Sequence, residues 1–318
     1  MDKPPFDPGA VHLSLRWQSG RAGDVNVRSD RPSVIGVLRG RPADQAVHML
    51  PLLYSICGTA QGIAAELALR AARGEPQAPA IDAAVLAEAR REHLWRLLLD
   101  WPRALGLPGY EALLAEGRRH LQDGGFEDWM EGALREPFAC IEGVLRALPE
   151  PPPAGGAQFL PPLTAADTLA FWPRLDAAFA AAPTHRGNPA ETGALVRHPD
   201  LAGVAPVLAR VKARMADLAG ADGLGRTSAA MVAPGIGRAT VETARGLLMH
   251  EIVLDGDNVA DYVIVAPTEW NFHPQGILKS WLEAAAATTP DAIKTFAACA
   301  VLALDPCVRA DIDIGGTG

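Results

Sequence analysis

Leu304-Asp305-Pro306-Cys307-Val308-Arg309-Ala310, near the end of the chain, and Ser55-Ile56-Cys57-Gly58-Thr59-Ala60, near its start, are the two stretches that decide how the rest is organised. Each offers one cysteine. Each has alanine three positions later, Ala60 and Ala310, where a second cysteine would complete a Cys-x-x-Cys pair. Four cysteines in 318 residues are too few for a disulfide framework, and in a reducing compartment spaced cysteines serve as ligands, catalysts or small core residues. Taken singly, Cys57 reads as a packed helix residue. Cys140 and Cys299 lie in no motif and read as core.

Outward from these stretches, the periodicities describe an α+β chain that is mainly helical. Residues 11–39 alternate as strands do, through Val11, Leu13 and Leu15 and again through Val25 and Val27, which predicts a small antiparallel sheet. From Pro42 the spacing becomes helical and stays apolar on one face to about Ala72, so Cys57 is expected within or beside one long buried helix, with Gly58 allowing another backbone close. Helical patterns over about 81–104, 109–121 and 126–148 predict a central bundle. The proline-rich run at about 149–156 reads as a linker between a helical first half and a mixed second half of a single 318-residue domain. Beyond it come helices near 164–182 and 200–219, strands over 227–266, and a last apolar helix over about 290–303 that delivers Cys307.

A composition of 49% hydrophobic and 21% charged residues supports a substantial core. The net charge of −8, with no basic run, argues against nucleic acid or an anionic membrane as principal partner. No signal peptide pattern precedes the first strand, and no stretch approaches the roughly 18 apolar residues of a membrane helix, so a cytoplasmic protein is expected. No two of the eight histidines have zinc-motif spacing. Gly235-Ile236-Gly237 lacks the third glycine of a dinucleotide loop and reads as a turn. The charged segment 86–96 reads as a solvated helix side with local ion pairs.

A further set of motifs runs almost end to end: Arg39-Gly40-Arg41, Ile56-Cys57-Gly58, Asp100-Trp101-Pro102, Glu191-Thr192-Gly193, Glu242-Thr243-Ala244-Arg245-Gly246, Pro267-Thr268-Glu269-Trp270-Asn271 and Asp305-Pro306-Cys307. In this order and spacing the chain resembles the large subunit of nickel-iron hydrogenases, in a shortened form. The resemblance implies that Cys57 and Cys307 match the terminal nickel ligands of that family, while Ala60 and Ala310 stand where cysteines would bridge nickel to an iron carrying carbon monoxide and cyanide. Ala10-Val11-His12 replaces a Glu-Gly-His motif whose glutamate passes protons, and Asp313 replaces a histidine. Catalytic hydrogenase activity is therefore not expected, nor is nickel.

The resemblance also implies that Arg245 and Thr268 donate to the two cyanides, with Pro267 against the same pocket. An iron with two cyanides and two thiolates is anionic and suits a buried arginine, and soft thiolates suit low-spin iron. This pattern is similar to the accessory proteins of the HupK and HoxV type, which implies a maturation scaffold that carries or assembles the Fe(CN)2(CO) unit. Its expected partners are hydrogenase maturation factors and the hydrogenase large subunit. Two other readings stay open: a metal-free chaperone or decoy of the large subunit, and a redox dithiol formed by Cys57 and Cys307. Arg245 could instead be satisfied by a carboxylate such as Glu242, and Thr268 could be a strand-end hydroxyl.

Overall fold

The structure, a computed structural model, describes residues 9–18, 20–54, 56–148, 158–220, 223–286 and 289–315. The proline-rich linker expected at 149–156 lies outside them. The N-terminal alternation forms a hairpin of Ala10–Gln18 and Arg21–Ser29, with Val11, Leu13, Leu15, Val25 and Val27 turned inward. The sheet is not purely antiparallel, as alternation alone had led one to expect. The last strand, Arg309–Gly315, pairs in parallel with the first, Ala10 opposite Arg309 through Arg16 opposite Gly315. A parallel partner needs a long crossover, here nearly the whole chain. It carries Cys307 to the place where the hairpin ends at Ser29.

The strands expected over 227–266 form the antiparallel run Arg226–Ala233, Ile236–Thr243, Gly246–Asp255 and Asn258–Val265, with the short strand Gln77–Ile81 on one edge. Against this five-stranded sheet lies Gly58–Ala72, whose Ala60, Ala64, Ala65, Ala68, Ala71 and Ala72 are buried. Small side chains bring helix and sheet into backbone contact. A β-carbon at Gly237 would overlap the Ala68 carbonyl oxygen and the Ala72 amide, so Gly237 is a packing residue of the strand rather than only part of a turn.

The single helix expected from Pro42 to Ala72 is two, Ala43–Leu53 and Gly58–Ala72. Pro51 sits inside the first and removes an amide donor. The chain then folds back so that a β-carbon on Gly58 would stand 3.0 Å from the Pro51 carbonyl oxygen, as the glycine's expected role requires. The break puts Cys57 at the N-cap of the second helix, with the helix's positive end behind its sulfur. The other helices pack as a body around Trp101, Leu98, Phe272, Trp281 and Phe296. They include Ala83–Trp95, prolonged by a π-turn at Arg96–Asp100 and by Trp101–Ala104, then Glu111–Asp123, Phe126–Ala133, Arg135–Ala147, Pro206–Gly220 and Pro290–Leu304. Cys299 is buried in this core, whereas Cys140 is only half-buried. Among the described residues no helix is long and apolar enough to cross a membrane.

The helix–sheet contact makes a clear prediction. Gly237→Ala should cost about 3 kcal/mol in urea unfolding because neither backbone can give way. Gly143→Ala, in a helix with open space around the site, should instead stabilise by up to about 1 kcal/mol.

Candidate metal centre

The Pro290–Leu304 helix stops at Asp305, which adopts a left-handed conformation with φ 57°. Its carboxylate is buried against three guanidiniums: Arg96 at 2.7 Å, Arg245 at 3.3 Å and Arg214 at 3.4 Å. Despite burial, those charges hold Asp305 well below the usual carboxylate range. Two residues on, Cys307 turns into the interior. Its Sγ lies 3.1 Å from Thr268 Oγ1, and its own amide donates to that oxygen at 3.2 Å. With its oxygen accepting the amide, the Thr268 hydroxyl proton is free to donate to the sulfur. Pro267 and Thr268 open the short buried helix Pro267–Asn271.

Cys57 stands beside Cys307, close enough for the two sulfurs to share a proton. That sharing, reinforced by Arg31 and Arg245, holds Cys307 well below the usual thiol range in spite of burial. The same sharing, together with burial, pushes Cys57 well above it. The two sulfurs titrate as a pair, with the proton drawn toward Cys57 and away from Cys307 beside its arginines. The Cys57 side chain does not cap its own helix. Glu88 does, accepting from the Thr59 and Ala60 amides at 2.8 and 3.0 Å. Gln61 Nε2 lies 3.6 Å from Cys57 Sγ, and its oxygen meets His250 Nε2 at 2.9 Å. Burial drives His250 down to about 3, so it stays neutral. Its other nitrogen meets the Tyr262 hydroxyl at 2.7 Å.

The structure thus brings together all five residues singled out from the sequence, Cys57, Cys307, Arg245, Pro267 and Thr268. The carboxylate suggested for Arg245 was Glu242, and that pairing is not found. Glu242 pairs with Arg197, and Arg245 pairs with Glu92 and Asp305. Glu92 belongs to the segment read as a solvated helix side, and that reading is also corrected. Glu88 and His93 are buried and Glu92 and Arg96 partly so, and all four have partners remote in the chain, with Arg96 also pairing locally with Asp100. His273 is a buried turn residue whose ring nitrogen accepts from the Gln275 amide at 3.0 Å.

Besides Glu92, a second site residue carried no motif. Arg31, just after the N-terminal hairpin, donates from Nη1 to Cys307 Sγ at 2.8 Å. It lies 5.0 Å over the Tyr54 ring and 3.6 Å from the Glu269 carboxylate. The two sulfurs therefore lie between two arginine–glutamate couples, Arg31 with Glu269 and Arg245 with Glu92. Burial pushes both glutamates up to about 7, against the pull of their arginines. A cleft of about 590 Å³, lined by Ile56, Gly58, Thr59, Trp95 and Arg118, leads from the surface to Arg245 and Glu92. Among the described residues no group of three or more histidine, cysteine, aspartate or glutamate side chains is placed to hold a metal ion. Any metal here relies on two sulfurs and on ligands it brings itself.

No protein-family profile matches the chain. The hydrogenase expression/formation protein HupK of Rhizobium leguminosarum bv. viciae is 30% identical to it, covering 96% of this chain and 96% of that one. The chain belongs to that family. HoxV of Cupriavidus necator, also named a hydrogenase expression/formation protein, is 29% identical over 91% of this chain and 92% of its own. These names support a role in hydrogenase maturation and are not those of catalytic hydrogenases. The fold is that of nickel-iron hydrogenase large subunits. The nickel-iron-selenium hydrogenase of Desulfovibrio vulgaris Hildenborough superposes with a TM-score of 0.61 at 14% identity, covering 92% of this chain and 94% of that one. The enzyme from Desulfomicrobium baculatum gives 0.55 at 12% identity, covering 92% and 95%.

The raised glutamates fix a pH dependence. Glu269 holds its proton more tightly folded, near 7, than unfolded, near the ordinary value of about 4.3. Its contribution to stability is complete below the unfolded value and is lost as pH rises toward 7. Melting temperature should therefore fall between about pH 4.5 and 7, and the fall should be shallower in Glu269→Gln, which stays neutral throughout.

Proposed function

We propose that this protein carries or assembles an Fe(CN)2(CO) unit and delivers it to a nickel-iron hydrogenase large subunit, without hydrogenase activity of its own. Cys57 and Cys307 bind the iron as thiolates. Arg245 and Thr268 hold the cyanide nitrogens by donating hydrogen bonds, and Pro267 closes the wall beside them. The observation that supports this reading is the meeting of two sulfurs from opposite ends of the chain beside that arginine and that hydroxyl. An anionic unit entering this pocket finds two buried guanidiniums, and it adds to the counter-charge that their carboxylates already supply. With two protein bonds to the metal rather than four, the remaining positions stay open for exchange with a receiving protein. The partners on this reading are hydrogenase maturation factors and the large subunit, the compartment is the cytoplasm, and nickel is not bound.

The test is anaerobic purification of the full chain from cells with the maturation machinery intact. Infrared bands of metal-bound cyanide and carbonyl are expected. They should disappear in Cys57→Ser and Cys307→Ser, and the cyanide bands should shift in Thr268→Val. A protein with neither iron nor bands would rule the reading out. That no third metal-ligating side chain joins the sulfurs among the described residues favours one rival, a metal-free chaperone or decoy of the large subunit. On that reading both serine variants support maturation as well as the parent does.

A further inference from the structure

The carrier reading leaves open what keeps bare metal ions out of a pocket that offers two sulfurs. We propose, building on that reading, that Arg31 is the selectivity residue: its guanidinium occupies the space against Cys307 that a bare metal ion would need, and restricts the pocket to an anionic metal unit. Arg31 belongs to none of the motifs that carry the family likeness. It reaches Cys307 because the parallel pairing of the terminal strands sets the end of the hairpin beside the Asp305-Pro306-Cys307 turn.

Its position is fixed on every side. Nη1 points at Cys307 Sγ at 2.8 Å, Nε faces the Glu269 carboxylate at 3.6 Å, and the group lies over the Tyr54 ring. The side chain is 10% exposed, so the charge cannot swing out to solvent. A divalent ion bridging outward from Cys307 would meet this fixed like charge, with Arg245 on the other flank. It would also compete with an N–H donor already directed at the sulfur. Of the nearby carboxylates, Glu92 meets Arg245 and Glu269 meets Arg31 through one oxygen each, and the other oxygen of each is buried without a hydrogen-bond partner.

An anionic unit meets the opposite situation. Both guanidiniums attract it, and Arg31 Nη2 is buried with no hydrogen-bond partner, a donor held in reserve beside the sulfurs. The family resemblance assigns Arg245 and Thr268 to the diatomic ligands. The geometry adds Arg31 as a third donor and as a fixed cation against Cys307.

The test uses cobalt(II), whose thiolate charge-transfer absorption reports binding to cysteine sulfur. The purified full chain is titrated anaerobically, without its cargo. The parent protein is expected to bind weakly, and Arg31→Met, which keeps bulk and loses charge, should bind at least about ten-fold tighter. Arg31→Lys should behave as the parent, and the gain in Arg31→Met should vanish when combined with Cys307→Ser. Parent affinity equal to that of Arg31→Met, a matching gain in Arg31→Lys, or a gain that survives loss of Cys307 would each overturn the proposal. The carrier reading fails separately: absent infrared bands in the parent, alongside the cobalt gain in Arg31→Met, would sink it while leaving the role of Arg31 intact.

Discussion

The buried Asp305 carboxylate is the group on which the rest of the site depends. It ends the last helix in a left-handed turn, and it meets guanidiniums from three separate helices and hairpins, Arg96, Arg214 and Arg245. Buried like charges at such close range are unfavourable unless a counter-charge stands among them. Asp305 supplies it. In doing so it fixes the turn that aims Cys307 and the arginine that faces the two sulfurs. Around it the remote motifs interlock. The Asn271 side chain accepts from the Thr192 amide and donates to the Arg245 and Leu304 carbonyls, and a β-carbon at Gly193 would stand 2.7 Å from the Arg245 carbonyl oxygen.

The second constraint is electrostatic. In this protein the interior of the site carries two sulfurs and two arginine–glutamate couples, with no group of three or more histidine, cysteine, aspartate or glutamate side chains placed to hold a metal among the described residues. Ala60 and Ala310 offer no sulfur to the site, and Arg31 adds a permanent positive charge beside Cys307. The two guanidiniums give the surroundings of the sulfurs a positive field, and the 590 Å³ cleft opens to solvent beside Arg245 and Glu92.

Much of this was legible in the sequence because motifs with strict backbone demands keep their spelling. Asp305-Pro306-Cys307, Glu191-Thr192-Gly193 and Arg245-Gly246 each mark a tight approach of chain to chain. The four long strands over 227–266 and the last apolar helix were equally plain. What stayed hidden was long-range pairing of charge. Glu92 meets Arg245 across 153 positions and Arg31 meets Cys307 across 276. Neither separation leaves a periodicity, so Glu92 looked like a solvated helix residue and Arg31 was not singled out at all. The helix break before Cys57 was hidden too, because the apolar stripe continues across it and Pro51 lies a turn upstream of where the chain bends.

The convergence of the two chain ends on one pair of sulfurs is tested most directly by a trivalent arsenical, which bridges two thiols only when they lie side by side. In the native protein one arsenic is expected per chain, held between Cys57 and Cys307, seen by intact mass and peptide mapping and absent from either serine variant. A native protein in which Cys57 and Cys307 alkylate independently and no bridged adduct forms would contradict the account.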